Sequence, residues 1–128
     1  MISSYIQAMG KEIFILEDDK DISYILNYVL FEQGYRVRVY GTVSDLRQAL
    51  RSGPPDLLLM DVRLPDGNGM DLCQELKQQA KFSPPILMMS ADWHLDRADG
   101  CPADEYIAKP FDLDVVLSKV DCYLKQAG

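Results

Sequence analysis

The sequence predicts a doubly wound α/β domain, in which helices cover both faces of a parallel β-sheet. Two short runs, 57–60 (LLLM) and 86–89 (ILMM), are apolar throughout, as is typical of strands buried on both faces of such a sheet. These runs alternate with segments whose apolar residues recur at the spacing of one helix face. The alternation indicates repeated strand–helix–strand units with right-handed crossovers.

The expected elements follow one another without an internal repeat or a linker. Five strands are predicted at 12–17, 35–40, 57–60, 86–89 and 105–107. Helices are predicted at 21–33, 43–51, 69–79 and 113–124, and Gly34 fits a left-handed cap at the end of the first. One more helix, the fourth along the chain, would precede the last strand. We expect it to be short or irregular because Gly100 and Pro102 break helices.

Length and composition indicate one domain, 1–128, that begins with an extension at 1–10. The chain shows no apolar run of the ~20 residues that a membrane span needs and no signal-peptide core, so we expect a cytoplasmic protein without membrane contact. A net charge of -7 argues against nucleic-acid binding by this chain alone. The three cysteines are widely spaced, which indicates neither a disulfide framework nor a zinc site.

Polar residues follow the predicted strands. Glu17 ends the first strand and Asp18 follows it, while Asp61 follows the third strand, Ser90 the fourth and Lys109 the fifth. Parallel strands bring their carboxyl ends to one edge, where ligands bind in doubly wound folds. Converging carboxylates would repel one another unless a hard divalent cation joined them, and an oxygen-only ligand set suits Mg²⁺ or Mn²⁺. The lysine and hydroxyl suit phosphoryl oxygens, and a carboxylate can accept a phosphoryl group.

Each of these residues, taken alone, also has a purely structural explanation. Acids such as Glu17 and Asp18 are common at helix starts, and Asp61 could belong to the turn that follows it. Ser90 could be a loop hydroxyl and Lys109 a solvated surface residue. Their coincidence with the ends of the strands favours a functional set.

Four segments resemble the diagnostic segments of the response-regulator receiver family. They are IFILEDDKDI, LLLMDVRLPDGNGMDL, ILMMSA and YIAKPF, and they occur in the family's order. The resemblance covers roughly residues 11–126 and implies a flavodoxin-like sheet of five strands in the order 2-1-3-4-5. It also implies a signalling domain rather than an enzyme, which accepts a phosphoryl group, loses it slowly by itself and signals by changing shape.

The resemblance assigns a role to each residue of the set. Four residues would bind Mg²⁺, which Mn²⁺ could replace. They are Glu17, Asp18, Asp61 and, through its backbone carbonyl, Arg63. Asp61 would also be the phosphoacceptor, and Lys109 would pair with the phosphoryl group. Ser90 would be the switch hydroxyl and Tyr106 the switch aromatic. The peptide bond before Pro110 would be cis.

The resemblance also implies partners for the chain. The phosphodonor would be a histidine kinase or a histidine phosphotransfer protein, and the output would pass to a downstream protein or to an effector domain outside this sequence. Many receivers dimerise through the fourth helix. Because that helix is expected to be irregular, we expect a monomer or a weak dimer. We also hypothesise that Arg63 and Asp92 form an ion pair that shields Asp61 from water.

Three other functions fit parts of the pattern. A hydrolase of the haloacid-dehalogenase kind would need a second acid where Arg63 stands. A pseudo-receiver, which only binds, would typically lack one of the acids or Lys109. A flavin-binding or nucleotide-binding module would need a phosphate loop after the first strand, and the sequence has none there.

Overall fold

The structure is a computed structural model, and it describes residues 10–91 and 103–125. In chain order its elements are β1 (Glu12–Leu16), α1 (Lys20–Glu32), β2 (Arg36–Tyr40), α2 (Val43–Leu50), β3 (Leu57–Asp61), β4 (Arg63–Leu64), β5 (Gly67–Asn68), α3 (Gly69–Lys77), β6 (Ile86–Ser90), β7 (Glu105–Ala108) and α4 (Leu113–Leu124). The extension at 1–10, apart from Gly10, and the fourth helix of the sequence prediction fall on 1–9 and 92–102, outside the described residues.

The main sheet confirms the predicted topology. Its five strands are parallel and lie in the order β2-β1-β3-β6-β7. The strands β4 and β5, of two residues each, pair antiparallel in a separate hairpin. When this hairpin is left out of the count, the order of the main sheet is the expected 2-1-3-4-5.

Helices cover both faces of the sheet, as predicted. Because strand side chains alternate between the two faces, each strand contributes to two apolar clusters. Leu26 of α1 and Val116 of α4 belong to one cluster, together with Ile13 of β1. Leu46 of α2 and Leu72 of α3 belong to the other. The pairs α1/α4 and α2/α3 therefore pack on opposite faces of the sheet.

The ends of α1 follow the rules of helix capping. The side chain of Asp19 accepts hydrogen bonds from the backbone N–H groups of Asp21 and Ile22, which otherwise have no partner in the helix. Gly34 has a φ of 96°, which confirms the predicted left-handed cap. Asp19 therefore has a structural role, although it adjoins the acids that follow β1. None of the helices in the described part of the chain is long and apolar enough to cross a membrane.

The hairpin β4–β5 is tied to the first turn of α2 by one carboxylate. Asp66 accepts hydrogen bonds from the backbone N–H groups of Val43 at 2.8 Å and Ser44 at 3.0 Å. These bonds, first that of Val43 and then that of Ser44, lower the pKa of Asp66 below its ordinary value of 3.8. At pH values above the ordinary pKa, the ionised carboxylate therefore stabilises the folded state. This contribution is lost as the pH falls through the lowered pKa.

We predict that Asp66→Asn lowers the melting temperature at pH 7, because an amide oxygen replaces a charged acceptor of two N–H groups. The difference from the wild type should narrow as the pH falls below the ordinary pKa of 3.8 and through the lowered pKa, where the carboxylate of the folded wild type becomes protonated. Thermal unfolding followed by circular dichroism at several pH values measures this. A difference in melting temperature that stays constant down to pH 2 would contradict the assignment.

Candidate functional site

The polar residues predicted to form a site do meet at the carboxyl edge of the sheet. Asp61 and Ser90 are the last residues of β3 and β6, while Glu17 and Lys109 directly follow β1 and β7. Asp61 pairs with Met89 in the sheet, so its neighbour across the strands is the residue before Ser90. Glu17, Asp61 and Ser90 are buried, and among the described residues only Ser23 joins them as a buried polar residue.

Three carboxylates form a compact cluster at this edge. Glu17, Asp18 and Asp61 each offer one oxygen, and these oxygens lie within 4.8 Å of one another. Glu17 and Asp61 are buried, whereas Asp18 is exposed. An all-oxygen set with one open side fits Mg²⁺, because this ion prefers carboxylate oxygens and keeps several of its water ligands. The residues present therefore fit a hard divalent cation.

The ammonium group of Lys109 contacts two of the three acids. Its Nζ lies 2.6 Å from Glu17 Oε1 and 3.2 Å from Asp61 Oδ2. Burial by itself would lower the pKa of Lys109, but the hydrogen bond to Glu17 and the charge of Asp61 raise it above its ordinary value. Burial also raises the pKa of Glu17, although the hydrogen bonds from Lys109 and from the Asp19 N–H oppose this rise. Lys109 is therefore charged and partly neutralises the cluster.

Two residues hold the Asp61 carboxylate and the backbone beside it: Val62, which follows β3, and Gly69, the first residue of α3. Its Oδ1 accepts a hydrogen bond of 2.8 Å from the Val62 N–H. The Gly69 N–H donates to the carbonyl oxygen of Val62 at 2.7 Å. A Cβ on Gly69 would lie 2.0 Å from the carbonyl oxygen of Asp61, so only glycine fits there. From the sequence alone, Gly69 is only the predicted start of a helix. A glycine at the first helical position, eight residues after the acid, was the available signal.

The remaining predicted site residues also lie at or near this edge. Tyr106 is in β7, half-buried and packed against the cluster on the α2/α3 face. Arg63 is in β4, two residues beyond Asp61, with an exposed side chain. Asp92, its hypothesised partner, lies outside the described residues, so that ion pair stays a prediction. The peptide bond between Lys109 and Pro110 is cis, as predicted.

Comparison with known proteins gives the family of the chain. Residues 13–121 match the family model described as the response regulator receiver domain. The match spans most of the 128 residues, and the chain therefore belongs to the response regulator receiver domain family. Receiver domains are components of two-component signalling systems.

Solved structures agree with this membership. A response regulator from Chloroflexus aurantiacus J-10-fl is 30% identical, with a TM-score of 0.83, and the alignment covers 91% of this chain and 98% of that one. The receiver domain of a signal transduction histidine kinase from Syntrophus aciditrophicus is also 30% identical, with a TM-score of 0.83 and 91% of each chain covered. The response regulator TrrA from Thermotoga maritima, solved in complex with Mg²⁺-BeF, is 28% identical, with a TM-score of 0.80, and the alignment covers 89% of this chain and 99% of that one.

We predict that Gly69→Ala destabilises the fold by about 1–3 kcal/mol, the usual cost of overpacking, because the new methyl group would collide with the Asp61 carbonyl. Urea unfolding of both proteins measures the difference. The matched control is Gly41→Ala, since a Cβ at Gly41 meets no atom within 4 Å. Equal stabilities of the two variants would contradict the close approach at Gly69.

Proposed function

We propose that Asp61 accepts a phosphoryl group from a phosphorylated histidine, with Mg²⁺ bound, and that the resulting change of shape is read by a partner. The observation that carries this proposal is the arrangement around Asp61. A buried carboxylate ends a central strand, beside two further carboxylates and within 3.2 Å of a lysine ammonium. The complex of TrrA with Mg²⁺-BeF supports the metal.

The chemistry follows from the roles of these side chains. One oxygen of the Asp61 carboxylate attacks phosphorus in line with the bond to the donor nitrogen, and that bond breaks as the new P–O bond forms. Glu17, Asp18, Asp61 and the carbonyl of Arg63 would hold the metal, which supplies positive charge to the transferring group when it is bound. The hydrogen bond from the Val62 N–H orients the Asp61 carboxylate before the attack.

Lys109 and the hydroxyl of Ser90 are the groups we assign to the phosphoryl oxygens once Asp61 is modified. Ser90 would follow the phosphoryl group and Tyr106 would follow Ser90, so that phosphorylation shifts a population between two states. A histidine kinase or a histidine phosphotransfer protein would supply the phosphoryl group, and a downstream protein or effector domain would bind the phosphorylated state. A monomer or weak dimer stays our prediction.

The chain is a switch rather than a turnover enzyme in this proposal. A hydrolase with an aspartate nucleophile needs a second acid for proton transfer, and the position two residues after Asp61 is occupied by Arg63. Arginine stays protonated in proteins and cannot serve as that acid or base. Loss of the phosphoryl group by slow attack of water would then reset the switch.

We predict that the chain gains one phosphoryl group after incubation with acetyl phosphate and Mg²⁺. The Asp61→Asn variant should gain none, because it has no carboxylate nucleophile. Removal of the metal with EDTA should prevent the modification of the wild type. Intact-mass analysis measures all three results.

The matched control is Asp66→Asn, which removes an acid five residues away and should still accept the phosphoryl group. Modification of Asp61→Asn would contradict the assignment of the acceptor. Release of many equivalents of phosphate per chain within minutes would favour the hydrolase.

A further inference from the structure

Three aromatic side chains of α1 face the solvent and form one stripe. Tyr24, Tyr28 and Phe31 are 72%, 53% and 65% exposed, and the described part of the chain has only two other exposed large apolar residues. Their spacing of four and three residues places them on one side of the helix. The side chains of Leu26 and Leu30, on the other side of α1, are buried in the core. We call the three exposed residues the aromatic stripe, and exposed apolar patches of this kind often serve in binding.

We propose that residues 2–9 pack on the aromatic stripe as a short amphipathic helix. This segment lies outside the described residues, and its sequence contains no charged side chain. Its large apolar residues recur at i, i+3, i+4 and i+7, which is the pattern of one helix face: Ile2, Tyr5, Ile6 and Met9. The apolar face of the segment therefore complements the exposed apolar side of α1.

The chain enters the described part of the structure beside the end of α1. The carbonyl oxygen of Lys11 accepts a hydrogen bond of 2.8 Å from the N–H of Arg36, which begins β2 four residues after α1 ends. Phe31, in the last turn of α1, is thus at the end of the stripe that is nearer to this entry point. Gly10 has a φ of 84°, the left-handed conformation that commonly follows the last residue of a helix. A helix before Gly10 can therefore turn into β1 and run back along α1.

The length of the segment matches the length of the stripe. Tyr24 and Phe31 are seven residues apart, about 10 Å along a helix axis, and residues 2–9 as a helix span about 12 Å. The segment therefore reaches Tyr24 but not the carboxylate cluster, because Glu17 and Asp18 precede the first residue of α1. Covering the stripe leaves the carboxyl edge of the sheet open.

The size of the stripe favours a segment of the same chain over a second copy of the chain. Aromatic side chains bury about 150–250 Å² each, so these three, which are already partly covered, offer roughly 300–500 Å². A stable interface between two proteins buries about 800 Å² on each partner. A tethered segment needs less area, because its effective concentration beside α1 is high.

Hydrogen exchange of the first nine residues tests the contact directly. We expect the amides of this segment to exchange about tenfold faster in Phe31→Ser than in the wild type, as loss of about half the burial of one large side chain implies. A helix this short is not stable in water without a surface to pack on. Mass spectrometry of the N-terminal peptide after deuterium labelling of the intact protein measures the rate.

The matched control is Val115→Ser. Val115 is an exposed apolar residue of α4, outside the stripe, and serine resembles both valine and phenylalanine in helix propensity. We expect this variant to leave the exchange of the N-terminal segment unchanged. Because both replaced side chains are exposed in the described structure, neither change removes a core contact.

The reciprocal change, Ile6→Ser, tests the same contact from the other side. Ile6→Ser and Phe31→Ser should each lower the equilibrium constant for folding about tenfold in urea unfolding. The double variant should be little less stable than either single variant, because both changes remove one contact. Ala8→Ser, off the apolar face of the segment, should have no effect. Ile6→Ser should still gain one phosphoryl group from acetyl phosphate, because Asp61 takes no part in the contact.

The outcomes separate the possible occupants of the stripe. Slow exchange of the N-terminal segment in a monomer, lost in both Phe31→Ser and Ile6→Ser, would support the packing of residues 2–9 on α1. Equal exchange in the wild type and Phe31→Ser would overturn it, as would additive effects of the two changes on stability. A dimer in sedimentation that Phe31→Ser dissociates would also overturn it, because the stripe would then bind a second copy of the chain.

Discussion

The parallel direction of the strands imposes one constraint on this molecule, which is the need to balance charge at the carboxyl edge of the sheet. Glu17 and Asp61 are buried there, and an unpaired charge in such a place is strongly destabilising. The ammonium of Lys109 is within 3.2 Å of both. The segments that follow β1, β3 and β7 therefore have to converge at one point, and the positions of the other site residues depend on that convergence.

The same balance connects the stability of the domain with its chemistry. The clusters on the two faces of the sheet consist of hydrophobic residues and are covered by α1 with α4 and by α2 with α3. The carboxylate cluster lies between these two layers, at the edge where Asp18 is exposed. Among the described residues, Glu17 and Asp61 are the only buried side chains that carry a charge, so a change of charge at this edge acts on an interior that is otherwise mostly apolar.

Much of the fold and of the site could be predicted from the sequence because their signals are local. Runs such as 57–60 are apolar throughout, and the acids follow them directly. The strands β3 and β6 each extend one residue further than predicted, since Asp61 and Ser90 are polar but still pair through their backbones. The contact of Asp66 with the N-terminus of α2 was not predictable, because it joins residues 22 and 23 positions apart. The spacing of residues along the sequence also does not show how far a side chain reaches. The shorter contact of Lys109 with Glu17 than with Asp61 could therefore be seen only in the structure.

The loop after Asp61 is attached at two points, through Asp66 to α2 and through the Gly69 N–H, which donates to the carbonyl oxygen of Val62. Both attachments depend on their distance along the chain from Asp61. An added or deleted residue between 61 and 69 would break at least one of them, so natural variation in this loop should be limited to substitutions. Surface loops usually tolerate changes in length, and this one is an exception because it is built as part of the site.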